Sequence, residues 1–202
     1  MDNENSMLPV YKLAMEDVAT VDLKASAERL KLKYDNGVHL DFLMHTYVVT
    51  NKGVLKATGE PASQIISALL LQYCLSNTGS RPTGNFVSMN QLAGPGSEIG
   101  SYFANEFLGP MDKKFSNNLE KLEKAALKLG AEKDDIQLSG GVSYIFEALK
   151  HIPLKVVFYP GDDDFPAGGS LLLDASATDF LGFETLAFMV TILARKLTER
   201  EI

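Results

Sequence analysis

The sequence predicts an α+β fold: an antiparallel β-sheet covered by several helices, in a single domain. Three observations lead there. Helical and extended patterns come in blocks, with no strict alternation, the order that segregates helices from an antiparallel sheet. Val38 to Val49 alternates strongly, and Asn51-Lys52-Gly53 turns it back into Val54 to Thr58, a hairpin signal. Leu154 to Leu181 reads as strand, acidic loop, strand and the approach to a last helix. Its loop carries no helical crossover, which a parallel pair would need.

Residues 1–10 read as a flexible N-terminus and 11–202 as the domain. Tyr11 to Lys33 is helical in two pieces, and Asp22 can cap the second, with Leu23, Ala27 and Leu30 on one face. Along Val38 to Val49, Leu40, Phe42, Met44, Thr46 and Val48 point one way. His39, Asp41, Leu43, His45 and Tyr47 point the other. Pro61 suits the first position of a helix whose stripe is Ile65, Ile66, Leu69, Leu70, Tyr73 and Cys74.

Gly79, Pro82 and Gly84 punctuate a loop, and Phe86 to Leu92 is ambiguous. Ser97 can cap a helix bearing Ile99, Phe103 and Phe107, which Gly109-Pro110 stops. Asp112 opens the next helix, with Phe115, Leu119, Leu122, Ala126 and Leu129 as its stripe and Gly130 past its end. Within 131–153, Ser139-Gly140-Gly141 is a break, and Val142 to Leu149 fits strand or helix. Lys155 to Tyr159 is β-branched and aromatic, as a strand requires. Pro160-Gly161 ends it, Gly168-Gly169 releases the loop, and Ser170 to Asp174 is its partner. Phe183 to Arg200 is a helix with Leu186, Met189, Val190, Leu193 and Leu197 inward.

Composition bounds the function. The chain has 202 residues, is 46% hydrophobic and 22% charged, and carries a net charge of −7. It can bury roughly 70% of its unfolded surface without a metal or disulfide. No basic run accompanies that charge, which argues against nucleic-acid binding. Cys74 is the single cysteine, so an internal disulfide framework and a cysteine-ligated cluster are excluded, and a reducing compartment fits. The polar start and the absence of a long apolar run imply no secretory signal and no membrane span, hence a cytoplasmic protein.

Asp162, Asp163, Asp164 and Asp174 form the acidic constellation most suited to a divalent cation. The spacing is not that of a calcium loop, and a solvated turn, with Asp174 bonding backbone near the strand end, is the simpler account. Gly94, Gly96 and Ser97 at a helix start can bind an anion, although no lysine follows as a phosphate loop requires. His39, Asp41 and His45 share one strand face, but His45 lies roughly 13 Å beyond Asp41. His151 stands alone, and Cys74 sits in an apolar stripe where a thiol is inert. No serine lies in a nucleophile elbow. Leu13, Met15 and Val18 can pack on another chain, so a homodimer is open.

Several segments together resemble a known family. They are LLLQYCL from Leu69 to Leu75, GNFVSMNQL from Gly84 to Leu92, Lys128 to Gly130, Pro153-Leu154, Asp162 to Pro166, Leu172 to Asp174 and Phe180-Leu181. They resemble an uncharacterised domain-of-unknown-function family of mainly anaerobic bacteria and archaea, found alone or fused to a four-cysteine iron–sulfur module. The Asp-x-Asp-Phe-Pro segment is its most distinctive piece. Here the later loop positions are Asp163 and Asp164, which keeps the charge at a shorter reach. With the four-cysteine module missing, the expectation is a stand-alone member.

The resemblance implies a setting near iron–sulfur or corrinoid one-carbon metabolism, with an iron–sulfur or corrinoid protein as partner. It implies no reaction. The expectation is a non-catalytic ligand-binding or accessory module. The alternatives are a divalent-metal enzyme using Asp162 to Asp164 and a structural oligomer.

Overall fold

Two antiparallel sheets, one of four strands and one of five, carry the chain, so the α+β class holds with its strands divided between them. A computed structural model describes residues 3–93, 104–116 and 118–200. The chain divides into two units, Met1–Arg81 with Thr178–Gly182, and Pro82–Ala177 with Phe183–Ile202.

The first unit contains α1 (Asn3–Val18), α2 (Leu23–Leu30), β1 (Lys33–Tyr34), β2 (Val38–Phe42), β3 (His45–Thr50), β4 (Gly53–Lys56) and α3 (Gln64–Leu75). Its sheet runs β1-β2-β3-β4 in sequence order. The expected break between α1 and α2 is present. Asp22 Oδ1 accepts from the amides of Lys24 and Ala25 at 3.0 and 3.1 Å, which satisfies donors that a helix start leaves unpaired. Helix α3 is capped by Ser63, whose hydroxyl accepts from Ile66 N. Pro61 is not in the helix but bridges to Leu55 beside β4.

The expected long strand from Val38 to Val49 is two strands. The chain turns back at Leu43-Met44, and Phe42 pairs with His45. Both turn residues are left-handed, at φ 46° and 66°, where Asn or Gly is the usual occupant. The turn was hidden because alternation continues straight through it. Burial explains why the strain is tolerated: Leu43 is 1% exposed. Met44 is 67% exposed and gains no such packing. A non-glycine left-handed residue costs roughly 1–2 kcal/mol, and Asn suffers least. Met44→Asn is therefore expected to stabilise the chain by about 0.5–1 kcal/mol, read as a higher urea midpoint at unchanged slope.

The second unit contains β5 (Phe86–Ser88), α4 (Met89–Ala93), a π-helix (Ala104–Leu108), α5 (Gly109–Phe115), α6 (Leu119–Lys128), β6 (Ala131–Lys133), β7 (Val142–Leu149), β8 (Ile152–Tyr159), β9 (Gly168–Asp174), a 3-10 turn (Ala175–Asp179) and α7 (Phe183–Thr198). The turn's last two residues belong to the first unit. The sheet order is β5-β9-β8-β7-β6, antiparallel throughout. Val142 to Leu149 is thus a strand. The predicted β8–β9 pair is the centre of this sheet, with Leu154 opposite Leu173 and Tyr159 opposite Gly168.

One face of the sheet is core. Tyr144, Phe146, Leu154, Val156, Phe158, Leu171 and Leu173 are all at most 2% exposed. Helix α6 packs on β6 and β7, and α7 packs on α4, α5, α6 and the π-helix. The expected single helix after Asp112 is two helices. Asn118 Oδ1 accepts from Lys121 N at 2.9 Å and starts α6 afresh, while Gly130 takes the left-handed position past its end at φ 77°.

Gly109-Pro110 begins α5 instead of stopping a helix. Pro110 has no amide to give the Glu106 carbonyl four residues earlier. That carbonyl accepts from the Arg200 guanidinium instead. Arg195 Nε and Arg200 Nη1 also reach Glu106 Oε2, at 3.2 and 3.5 Å. The end of α7 is thereby tied to the π-helix.

Candidate functional site

The acidic connector between β8 and β9 is a tight exposed loop. Asp162 organises it: its amide donates to Phe165 O at 2.9 Å, and its Oδ1 accepts from Asp164 N at 3.0 Å and Phe165 N at 2.7 Å. An aspartate that bonds backbone two and three residues on fixes a turn by itself. At the root, Gly161 N donates to Ser116 Oγ at 3.1 Å, and that hydroxyl donates to Asp112 Oδ1. Asp163, Asp164 and Phe165 are left at the tip, exposed, with Phe165 71% exposed.

Asp174 is not part of that tip. It closes β9 at the far end, roughly 20 Å along an extended strand from the loop. Its side chain is fully buried. Oδ1 accepts from Thr83 N and Thr83 Oγ1, both at 3.0 Å, from Ser176 N at 2.9 Å and from Ser176 Oγ at 2.7 Å. Oδ2 accepts from Gly84 N at 2.7 Å. Burial pushes this carboxyl up, but the bonds from Thr83 and Ser176 together outweigh it and hold it below the ordinary value. No cation is needed to keep it charged, because five neutral donors solvate it. Its work is to fasten the loop before β5 to the end of β9.

A second polar cluster, which the sequence reading did not find, lies on the other face of the sheet. Lys155 Nζ is 2.9 Å from Asp134 Oδ2 and 4.4 Å from the centre of the Phe86 ring. Ser143 Oγ donates to the same Asp134 oxygen at 2.9 Å. Burial pushes the Asp134 carboxyl up, but the hydrogen bonds from Lys155 and Ser143 and the lysine's charge prevail and lower it. The lysine amine sits between a carboxylate and an aromatic face. Those contacts tie β5, β8 and the segment after β6 together. The signal available in the sequence was Lys155 in an otherwise apolar strand. Nothing nearby marked Asp134 as its partner.

His39 and Asp41 stay on one face of β2, but the turn at Leu43-Met44 brings His45 back beside Phe42, onto the other face and not farther along the strand. His39 Nε2 is 3.1 Å from Asp35 O, and Asp41 Oδ1 accepts from Thr46 Oγ1 at 2.6 Å. His45 starts β3 opposite Phe42. His151 sits in the turn between β7 and β8. Cys74 is buried, and burial pushes its thiol up to about 12 against the pull of Arg29, so it is not a thiolate nucleophile. Gly94, Gly96 and Ser97 lie outside the described residues. Val18 is fully buried, whereas Leu13 is 62% exposed. Leu13 borders an open groove of about 260 Å³ with Asp17, Gln72, Leu75, Ser76 and Phe180.

Among the described residues, no three His, Cys, Asp or Glu side chains converge as metal ligands would. No helix among them is long and apolar enough to cross a membrane. Neither a curated protein nor a solved structure matches the chain. A family model does: the one described as Domain of unknown function (DUF3786) matches residues 22–196. The match takes in α2 through most of α7, and with it both sheets, the acidic loop and the Asp174 fastening. The chain is therefore a member of the DUF3786 family of domains of unknown function.

Proposed function

We propose that this chain is a non-catalytic binding or accessory module, serving a partner protein of iron–sulfur or corrinoid metabolism. The observation that carries the first part is how its most reactive-looking groups are used. Asp174 is saturated by five N–H and O–H donors. Asp162 is turned onto its own loop amides, and Cys74 is a buried thiol. A general base or nucleophile needs a free lone pair facing substrate, and these groups point theirs at the fold. The second part follows only what the resemblance implies, a family expected to occur alone or fused to a four-cysteine iron–sulfur module.

The test has two arms. Calorimetric titration with a four-iron ferredoxin and with a corrinoid-loaded carrier protein is expected to give saturable binding to one of them, with no turnover by the chain alone. Binding to neither overturns the partner. The second arm is a thermal melt with millimolar Mg²⁺, Mn²⁺ or Ca²⁺. Ligand at a hundredfold excess over Kd stabilises by about 2.7 kcal/mol, a shift of roughly 5–10 °C for a chain of this size. The expected result is no shift. A shift that Asp163→Asn with Asp164→Asn abolishes would replace this reading with the divalent-metal enzyme.

A further inference from the structure

Helix α6 is two-sided. Leu122 and Ala126 are fully buried against the second unit's core. Lys121, Lys124 and Lys128 are exposed on the outward side, and Leu127 among them is 55% exposed. None of the ion pairs among the described residues uses these three lysines. Exposed Glu120 shares this side, and Glu199 lies within electrostatic reach of Lys121 and Lys128. In a protein of net charge −7, this face thus keeps a small local positive excess around an uncovered leucine.

The same unit carries the counterpart. The β8–β9 tip offers Asp163 and Asp164 beside Phe165, which is 71% exposed. Those two carboxylates likewise take no part in the ion pairs among the described residues. The two features are neighbours. Gly161 at the loop's root bonds Ser116 Oγ, and Ser116 lies in the short break between α5 and α6, just before the Asn118 cap. Two complementary features side by side on one surface make that surface self-complementary about a two-fold axis, the commonest symmetry of protein dimers. We propose that the outward face of α6 docks a second copy of this chain. Asp163 and Asp164 of each copy face Lys121, Lys124 and Lys128 of the other, and Phe165 packs on Leu127.

Opposite charges at an exposed rim act over about 8 Å at physiological salt and over less as salt rises. The apolar contact supplies an attraction that salt does not screen. The occupant is argued from this complementarity of both charge and apolar surface. An acidic segment of some other protein would fit the lysines but is not on the molecule.

Charge exchange tests the pairing. One variant carries Asp163→Lys and Asp164→Lys, the other Lys121→Glu and Lys124→Glu. All four positions are exposed, so both variants are expected to keep the wild-type melting transition. Light scattering of the wild type at about 20 mM salt, where screening is weak, is expected to give twice the 22.1 kDa chain mass. That mass falls toward one chain as salt rises. Each variant alone is expected to read as one chain, because its like charges meet. An equimolar mixture is expected to return to two chains, since each reversed loop now faces a reversed helix. A wild type that stays at one chain in low salt overturns the proposal. So does a dimer indifferent to both reversals, or a mixture that remains monomeric.

Discussion

Asp174→Ala is expected to destabilise the chain by about 3–5 kcal/mol, the largest loss for any single polar substitution here. The carboxylate is fully buried and takes bonds from Thr83 N, Thr83 Oγ1, Gly84 N, Ser176 N and Ser176 Oγ. The two hydroxyls can rotate to other acceptors. The three amides cannot, because the chain fixes them. Each buried donor left unpaired costs roughly 1–3 kcal/mol, and the costs do not add fully within one network. Asp174→Asn is the sharper comparison. It keeps the shape but offers one acceptor oxygen, and it turns an amide donor toward donors. A loss of about 2–4 kcal/mol is expected. Urea unfolding of the three proteins measures both values.

The same site has a pH signature with a definite sign. The folded Asp174 carboxyl lies below its ordinary value, so the folded state favours the charged form. The resulting stability is fully present above the unfolded value of about 3.9. It is lost as pH falls through that value and then through the lowered folded one. The gap between wild type and Asp174→Asn is therefore expected to be constant near neutrality and to shrink below about pH 4. A gap that held constant to pH 2 would mean that the fastening does not depend on charge.

What the sequence made legible follows from how local each cause is. Asp22 was readable as a cap because its oxygen bonds amides two and three residues on. Asn51-Lys52-Gly53 was readable as a turn because Gly53 takes a positive φ of 133° and Lys52 N donates to Thr50 Oγ1 within the turn itself. Gly130 was readable as a helix end because its own φ of 77° suits glycine. The antiparallel β8–β9 pair was readable because its connector has no crossover. Leu43-Met44 was not readable. Its left-handed backbone is stabilised by burial of Leu43, a tertiary cause with no local mark. Asp174 was grouped with Asp162 to Asp164 because composition shows charge and hides direction. The strand between them separates the two ends, and Thr83, some ninety positions away, claims the buried carboxylate. Asp134 escaped notice likewise, since its partner Lys155 lies two strands later.

Gly168 and Gly169 give the last and most local test of how the loop is held. In sequence they look equivalent, a flexible pair releasing the chain. In the fold both lie within β9, paired with Tyr159 and Phe158. A Cβ on Gly168 would meet nothing nearer than Tyr159 Cβ at 3.9 Å, which is ordinary contact. A Cβ on Gly169 would lie 2.7 Å from the Val157 carbonyl oxygen and 3.5 Å from Leu108 Cδ1 and Phe158 Cδ2. The oxygen is backbone of the neighbouring strand and cannot swing aside. Either the two strands separate or the π-helix that brings Leu108 to this point retreats. Gly169→Ala is accordingly expected to cost about 1–3 kcal/mol, the range for overfilled cores. Gly168→Ala is expected to be neutral or to stabilise by about 0.5 kcal/mol, because glycine in a strand carries an entropic penalty. Equal effects at the two positions would show that the pair is a hinge after all. Unequal effects in this order mean that Gly169 is required by close approach, and that the acidic tip stands on a rigid two-strand base.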